Sequence, residues 1–369
     1  MFALLVKLLR AVAPALLAVK GVVAALAAPL APLAAGGVVG TAVTVGAVIV
    51  ATATLGYGIY YVITGQPLVF APAVPEIPVV GTALKALPPQ YVFTITDVAS
   101  PLGVAVSPGG ERIYASESEG ERLVRVFDRE GRLVDRLAPP GSTAGGRLPV
   151  YVSVDRESKV YVTDRLRKSI EIFGPDGAYL GPFRPAGAVG LLPNPLGITL
   201  DRRGALYVTD VTPGNHRVLV LAANEGGRLL TAFGREGKDD GEFSYPNGLA
   251  VRDDTGDLYV ADANNARILI FDAEGTQKGR LAQRGGASLG LPRGLALDSL
   301  GRLYVVDTVD GKVNVYDVRQ EPAKFLFSFG TPGKGDGQLN YPNGVAVDSG
   351  TGRVYVADWG NNRVLVWAY

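Results

Sequence analysis

Two landmarks recur six times, in one order, along residues 101–358, and they restrict the fold more than any other feature of the chain. The first is a Pro-x-Gly turn, at Pro101-Leu102-Gly103, Pro195-Leu196-Gly197, Pro246-Asn247-Gly248, Pro292-Arg293-Gly294 and Pro342-Asn343-Gly344. Pro149-Val150-Tyr151 holds the second slot, with Tyr where the others have Gly. Successive prolines lie 48, 46, 51, 46 and 50 residues apart. The second landmark is Tyr-x-x-acid, at Tyr114/Glu117, Tyr161/Asp164, Tyr207/Asp210, Tyr259/Asp262, Tyr304/Asp307 and Tyr355/Asp358. Around them run short apolar/polar alternations, such as residues 344–348, 353–358 and 363–367. Period-two alternation buries one side chain and exposes the next, so each run reads as a half-buried strand. The turn-rich stretches 348–352 and 359–362 join these three runs into an antiparallel meander. A small sheet of this kind needs cover, and the repeats supply it.

A period of 46 to 51 residues carrying four strand-like runs is that of a β-propeller blade. The fourth run appears in the first five repeats, for example residues 229–233 and 325–329, but not between Trp367 and Tyr369 in the sixth. One unassigned run, residues 91–98 (YVFTITDV), precedes the first Pro-x-Gly turn. It is predicted to be the outer strand of the sixth blade, which closes the ring and removes exposed edges. The expected fold is therefore all-β, a six-bladed propeller of four-stranded antiparallel blades over residues 91–369. GRVYVADWGNNRVLVW, ADANNARILIF and the paired loops FGREGKDDGEFSYPNG and FGTPGKGDGQLNYPNG resemble NHL repeats, a resemblance that covers residues 91–369. It implies this fold. It leaves activity open among binders, sensors, lyases and hydrolases.

The first 75 residues differ in composition. Lys7, Arg10 and Lys20 are their only charges, and residues 21–75 form an uncharged run of 55 residues. About 20 apolar residues suffice to cross a bilayer, so residues 1–65 read as a hydrophobic region with a transmembrane helix at about 38–63. Tyr57, Tyr60 and Tyr61 would form its interfacial belt. Residues 2–17 could lie on the inner membrane surface, or residues 11–35 could make a second span, although Pro14, Pro29 and Pro32 disfavour one. With one span, the reading adopted here, charge bias places the propeller outside the cytoplasm. Small residues four apart (Gly36/Gly40, Ala47/Ala51, Thr52/Gly56) would let such helices associate into a homo-oligomer. Residues 66–90 carry six prolines and read as a semi-rigid stalk.

The chain has no Cys, which excludes disulfides, thiolate metal sites and Cys nucleophiles. Net charge is +1, and residues 91–369 carry 32 basic against 34 acidic groups, so no nucleic-acid partner is implied. The six repeat acids could suggest a metal crown. A metal site breaks symmetry, however, whereas a device for building blades recurs. Glu117, Asp164, Asp210, Asp262, Asp307 and Asp358 are expected to cap turns. Five of them are expected to pair with a base: Glu117 with Arg122, Asp210 with Arg217, Asp262 with Arg267, Asp307 with Lys312 and Asp358 with Arg363.

His216 is the single histidine, too few for the three-ligand zinc site of lyase propellers. Resemblance to lactonase propellers implies a calcium ion at the channel mouth, and Asn194, Asn247 and Asn343 are the candidate oxygen ligands. Asn before Gly is equally ordinary turn chemistry. Residues 237–241 and 333–337 look faintly like ion-binding loops but lack EF-hand acids and a following helix, so they read as connections between blades. Trp359, His216, Arg217 and Tyr245 are the candidate partner-binding residues, with Trp367 expected to pack between blades. No cofactor is expected. The sequence is read as a membrane-anchored, extracytoplasmic scaffold for a protein, peptide or glycan. A calcium-dependent hydrolase and a structural subunit of a membrane complex or filament are the alternatives.

Overall fold

The computed structural model describes residues 87–185 and 193–369. The membrane span anticipated at 38–63 and the stalk up to residue 86 lie outside them. Among the described residues no helix is long and apolar enough to cross a membrane.

Each Pro-x-Gly turn opens an innermost strand: Pro101–Val106, Pro149–Val154, Pro195–Leu200, Pro246–Val251, Pro292–Leu297 and Pro342–Asp348. Three further strands follow outward in the first five blades, as in Leu258–Asp262, Arg267–Phe271 and Gln277–Leu281 of the fourth. In the sixth, Arg353–Asp358 and Arg363–Ala368 follow, and Gln90–Ile95 pairs antiparallel with Arg363–Ala368 as the outer strand. Tyr91 faces Trp367 and Ile95 faces Val364 across that pair. The ring therefore has six blades and closes as predicted, with the closing strand ending at Ile95 rather than at residue 98.

The register of every innermost strand slips just after its proline, for example between Pro246 and Leu249 and between Pro342 and Val345. This bulge brings each backbone against its neighbour. A Cβ at Gly248 would stand 2.4 Å from the Arg293 carbonyl oxygen, and one at Gly344 2.7 Å from that of Leu102. The repeated glycine is thus a contact between blades. Ser116, Thr163 and Thr209, which precede the repeat acids, add hydroxyl bonds to the next blade's Val150, Leu196 and Asn247 carbonyls.

Apolar clusters fill the spaces between blades. Trp367, 2% exposed, packs edge-on against Phe329 of the fifth blade and Tyr91 of the closing strand. The repeat tyrosines pack in the same layers, and two of them reach the aspartate that follows the innermost strand: Tyr161 to Asp155 at 3.3 Å and Tyr304 to Asp298 at 3.2 Å.

Candidate functional site

The start of each innermost strand pairs with the end of the second, as Pro342 does with Asp358, so the loops entering the blades and the second hairpins share one face of the ring. The repeat acids are buried beneath that face. The Asp358 carboxylate accepts the Asn340 N–H, the Asn361 amide and the Arg363 guanidinium at 2.6, 2.7 and 2.8 Å. Asp262 repeats this with Ser244, Asn265 and Arg267. Burial pushes both carboxyls up despite these donors. Arg267 and Arg363 also donate to carbonyls of the loops 234–245 and 330–341, at Asp239 and Glu242 and at Gly335 and Gln338. Those glycine-rich loops are connections between blades, each folded around one buried side chain, Phe243 or Leu339.

Two anticipated pairings differ. Glu117 pairs with Arg125 at 2.7 Å, because Arg122 turns its guanidinium to the Ser118, Ala144 and Arg147 carbonyls. Asp307 accepts the Gly290 and Leu291 N–H groups at 2.9 and 3.0 Å and not the Lys312 ammonium, since its loop offers two backbone donors within reach. Asp210 pairs with Arg217 at 3.1 Å, and Asp164 caps the N–H groups of Leu148, Leu166 and Arg167.

The second residues of the Pro-x-Gly turns surround the channel mouth. Leu102, Val150 and Leu196 make one half apolar, and Asn247, Arg293 and Asn343 make the other polar. Tyr151 occupies the middle, and its hydroxyl donates to Asn247 Oδ1 at 3.3 Å, from the second blade to the fourth. Burial pushes this phenol up to about 12, against the opposing effects of Arg293 and Asn343 nearby. Arg293 Nη1 donates to Asn343 Oδ1 at 3.0 Å, and Asn343 Nδ2 to the Leu102 carbonyl at 2.8 Å. Below Tyr151 the channel is a cavity of about 300 Å³ lined by the innermost strands.

These placements bear on the metal ligands. Asn247 and Asn343 come together at the mouth, but both amide oxygens accept from Tyr151 and Arg293, and a guanidinium stands where a cation would be bound. Asn194 is not in this ring: it precedes Pro195, and its amide donates to the Val211 carbonyl at 3.2 Å. The residues at the mouth therefore do not fit a calcium ion. Among the described residues no three His, Cys, Asp or Glu side chains converge in a group able to hold a metal.

His216 is buried; its Nδ1 accepts the Tyr245 N–H at 3.2 Å and its ring meets Tyr245 edge-on. Tyr245 Oη accepts from Arg165 Nη1 at 2.7 Å. Trp359 Nε1 donates to Ser118 Oγ at 3.1 Å and its ring stands edge-on to Tyr341. Tyr245 and Tyr341, each just before a proline, have φ of 57° and 49°, a left-handed conformation that costs a bulky residue about 1 kcal/mol or more. Leu166 and Val309 are exposed on the same face at 50% and 62%, as are Tyr341 at 57% and Trp359 at 37%. Sequence reasoning missed Tyr151, Arg165 and Arg293; the Tyr in a Gly slot was the one visible signal.

The NHL repeat model matches residues 339–367, and that of the SMP-30/gluconolactonase/LRE-like region matches residues 199–321. The chain is 32% identical over 139 residues to protein brain tumor of Drosophila melanogaster, covering 37% of this chain and 12% of that one. It is 30% identical over 149 residues to a probable peptidyl-alpha-hydroxyglycine alpha-amidating lyase of Caenorhabditis elegans, 39% of each. The curated relatives are thus matched over well under half their length. Among solved structures, a Xanthomonas campestris gluconolactonase superposes with a TM-score of 0.57 at 20% identity, over 76% of this chain and 95% of that one. A nidogen/laminin complex gives 0.52 at 21%, over 68% and 85%. The chain is a six-bladed β-propeller similar to NHL-repeat and SMP-30/gluconolactonase-like proteins.

Proposed function

We propose that the chain is a binding or scaffolding module that takes a protein, peptide or glycan partner on the loop-bearing face of its propeller, held outside the cytoplasm by a membrane helix at residues 38–63. One observation carries the binding assignment: Leu166, Val309, Tyr341 and Trp359, from three different blades, are exposed together on that face. Apolar side chains gathered on one face, two of them aromatic, favour an interface. Val134, Leu180, Leu229 and Leu230 are also exposed, but they stand on outer strands around the circumference.

Photo-crosslinking from membranes tests the face. A specific partner should be captured at position 309 or 341 and lost in Trp359→Ala, while a crosslinker at Val134 should capture nothing specific. Capture equal at both places would remove the assignment. Protease treatment of intact cells tests sidedness, since a propeller cut only after lysis would lie in the cytoplasm. The hydrolase reading has the match at 199–321 in its favour and Arg293 at the mouth against it. Thermal stabilisation by calcium that disappears in Asn247→Ala and Asn343→Ala would favour it. The structural-subunit reading expects detergent-resistant oligomers that vanish on removal of residues 1–65.

A further inference from the structure

We propose that the channel mouth is an anion site, reversed in polarity from the cation site of lactonase-like propellers, and that it binds the carboxylate of an acidic side chain in a peptide partner. The proposal rests on the loop-face reading above and names the chemistry that face selects.

Most half-buried arginines of this propeller are either paired with a carboxylate or hydrogen-bonded several times over. Arg125, Arg267, Arg302 and Arg363 each lie within 2.8 Å of a buried carboxylate. Arg147 donates four bonds, to the Arg122, Glu121 and Ser142 carbonyls and to the Ser142 hydroxyl. Arg165 and Arg293 differ. Among the described residues neither forms an ion pair, and, unlike Arg147, each donates only one hydrogen bond, to the neutral Tyr245 hydroxyl and the neutral Asn343 amide oxygen respectively. The Nε of each is buried with no partner among the described residues. Two cations held under partial burial without a counter-charge cost stability, and a complementary anion would offset that cost.

Both arginines border one connected cluster. Arg165 holds Tyr245 Oη, the Tyr245 carbonyl accepts from Asn247 Nδ2, and Asn247 Oδ1 accepts from Tyr151, which lies beside Arg293 and Asn343. Tyr151 cannot serve as counter-ion, because burial keeps its phenol protonated at neutral pH. Leu102, Val150 and Leu196 close the other half of the mouth, and Leu166 and Val309 are exposed in second hairpins on the same face. Each guanidinium, at one end of that cluster, suits a carboxylate flanked by apolar side chains. A nucleic acid would need a broad basic surface, and residues 91–369 carry 32 basic against 34 acidic groups.

The test uses the full chain and two fluorescein-labelled peptides of alternating sequence, leucine with aspartate and leucine with asparagine, read by anisotropy. The aspartate peptide should bind more tightly, and Arg293→Met and Arg165→Met should each weaken it by about tenfold with the asparagine peptide unmoved. Arg228→Met, exposed and far from the mouth in an outer strand, should change neither. Arg293→Lys, which keeps charge but loses the fork, should fall between, and near-UV circular dichroism of each Met variant, unchanged from the parent, guards against misfolding. Equal binding of the two peptides, or unchanged binding by both Met variants, overturns the site. Displacement of the peptide by an equal concentration of inorganic phosphate overturns the peptide assignment and leaves a general anion site. If both Met variants still capture the crosslinked partner while Trp359→Ala does not, the module reading stands and the carboxylate site falls. If peptide discrimination holds but capture ignores the loop face, the reverse is true.

Discussion

At the scale of single residues, the fold depends on carboxylates whose burial is only partly offset. Asp358 collects a backbone N–H, an amide and a guanidinium, yet its carboxyl is pushed up, because burial outweighs them. Removing it in Asp358→Ala strands Arg363 and the Asn340 N–H, and a loss of about 3 kcal/mol in urea unfolding is expected. An effect no larger than that of an exposed pair would show the cluster to be incidental. Asp317 behaves oppositely. Arg319, bonded to it at 2.6 Å, holds its carboxyl well below the usual carboxylate range, assisted by the Arg319 N–H and Gln320. A carboxyl whose pKa falls on folding contributes stability that is full above its unfolded value, near pH 4, and lost as pH drops. Arg319 is partly exposed, so solvent screening reduces the effect to about 1 kcal/mol for Asp317→Asn at neutral pH. That difference should shrink toward zero in acid, and equal losses at both pH values would rule out the linkage.

At the scale of the blade, the Pro-x-Gly turn was legible as a turn, and the Tyr-x-x-acid run as the end of a strand. Their partners were not. The acid caps the loop that enters its own blade, and the Gly marks where the next blade's carbonyl presses in, contacts that local spacing does not encode. Gly248→Ala should cost about 2 kcal/mol or more, since its Cβ would overlap the Arg293 carbonyl. Gly145→Ala, with nothing within 4 Å, should cost little. Equal melting temperatures for the two would refute the contact. The candidate site was legible in part for the same reason. Asn247, Asn343, Tyr245 and Trp359 stand in recognisable turns. Tyr151 stood out only as a Tyr in a Gly slot, and Arg165 and Arg293 have ordinary local sequences; all three gain their roles only when the ring brings distant turns together.

At the scale of the whole molecule, one strand decides whether there is a ring. Gln90–Ile95 supplies the outer edge of the last blade, and its side chains bury where two blades meet. Ile95 is 1% exposed within the cluster that joins the sixth blade to the first, and Tyr91 packs on Trp367. The loop after it continues the join, as Ser100 N and Oγ both donate to Asn362 Oδ1 at 2.9 and 3.0 Å. Loss of this strand would leave Arg363–Ala368 as an open edge and expose Phe93 and Ile95's neighbours on both sides. Deleting residues 87–95 should therefore lower the melting temperature far more than any single substitution and promote self-association, seen as early elution in size exclusion. A chain lacking those residues that stays monomeric and melts as before would mean that the first and sixth blades hold each other without it. The substitution Ile95→Ala separates packing from pairing: it keeps the backbone ladder, and a loss of about 2 to 5 kcal/mol without self-association is expected.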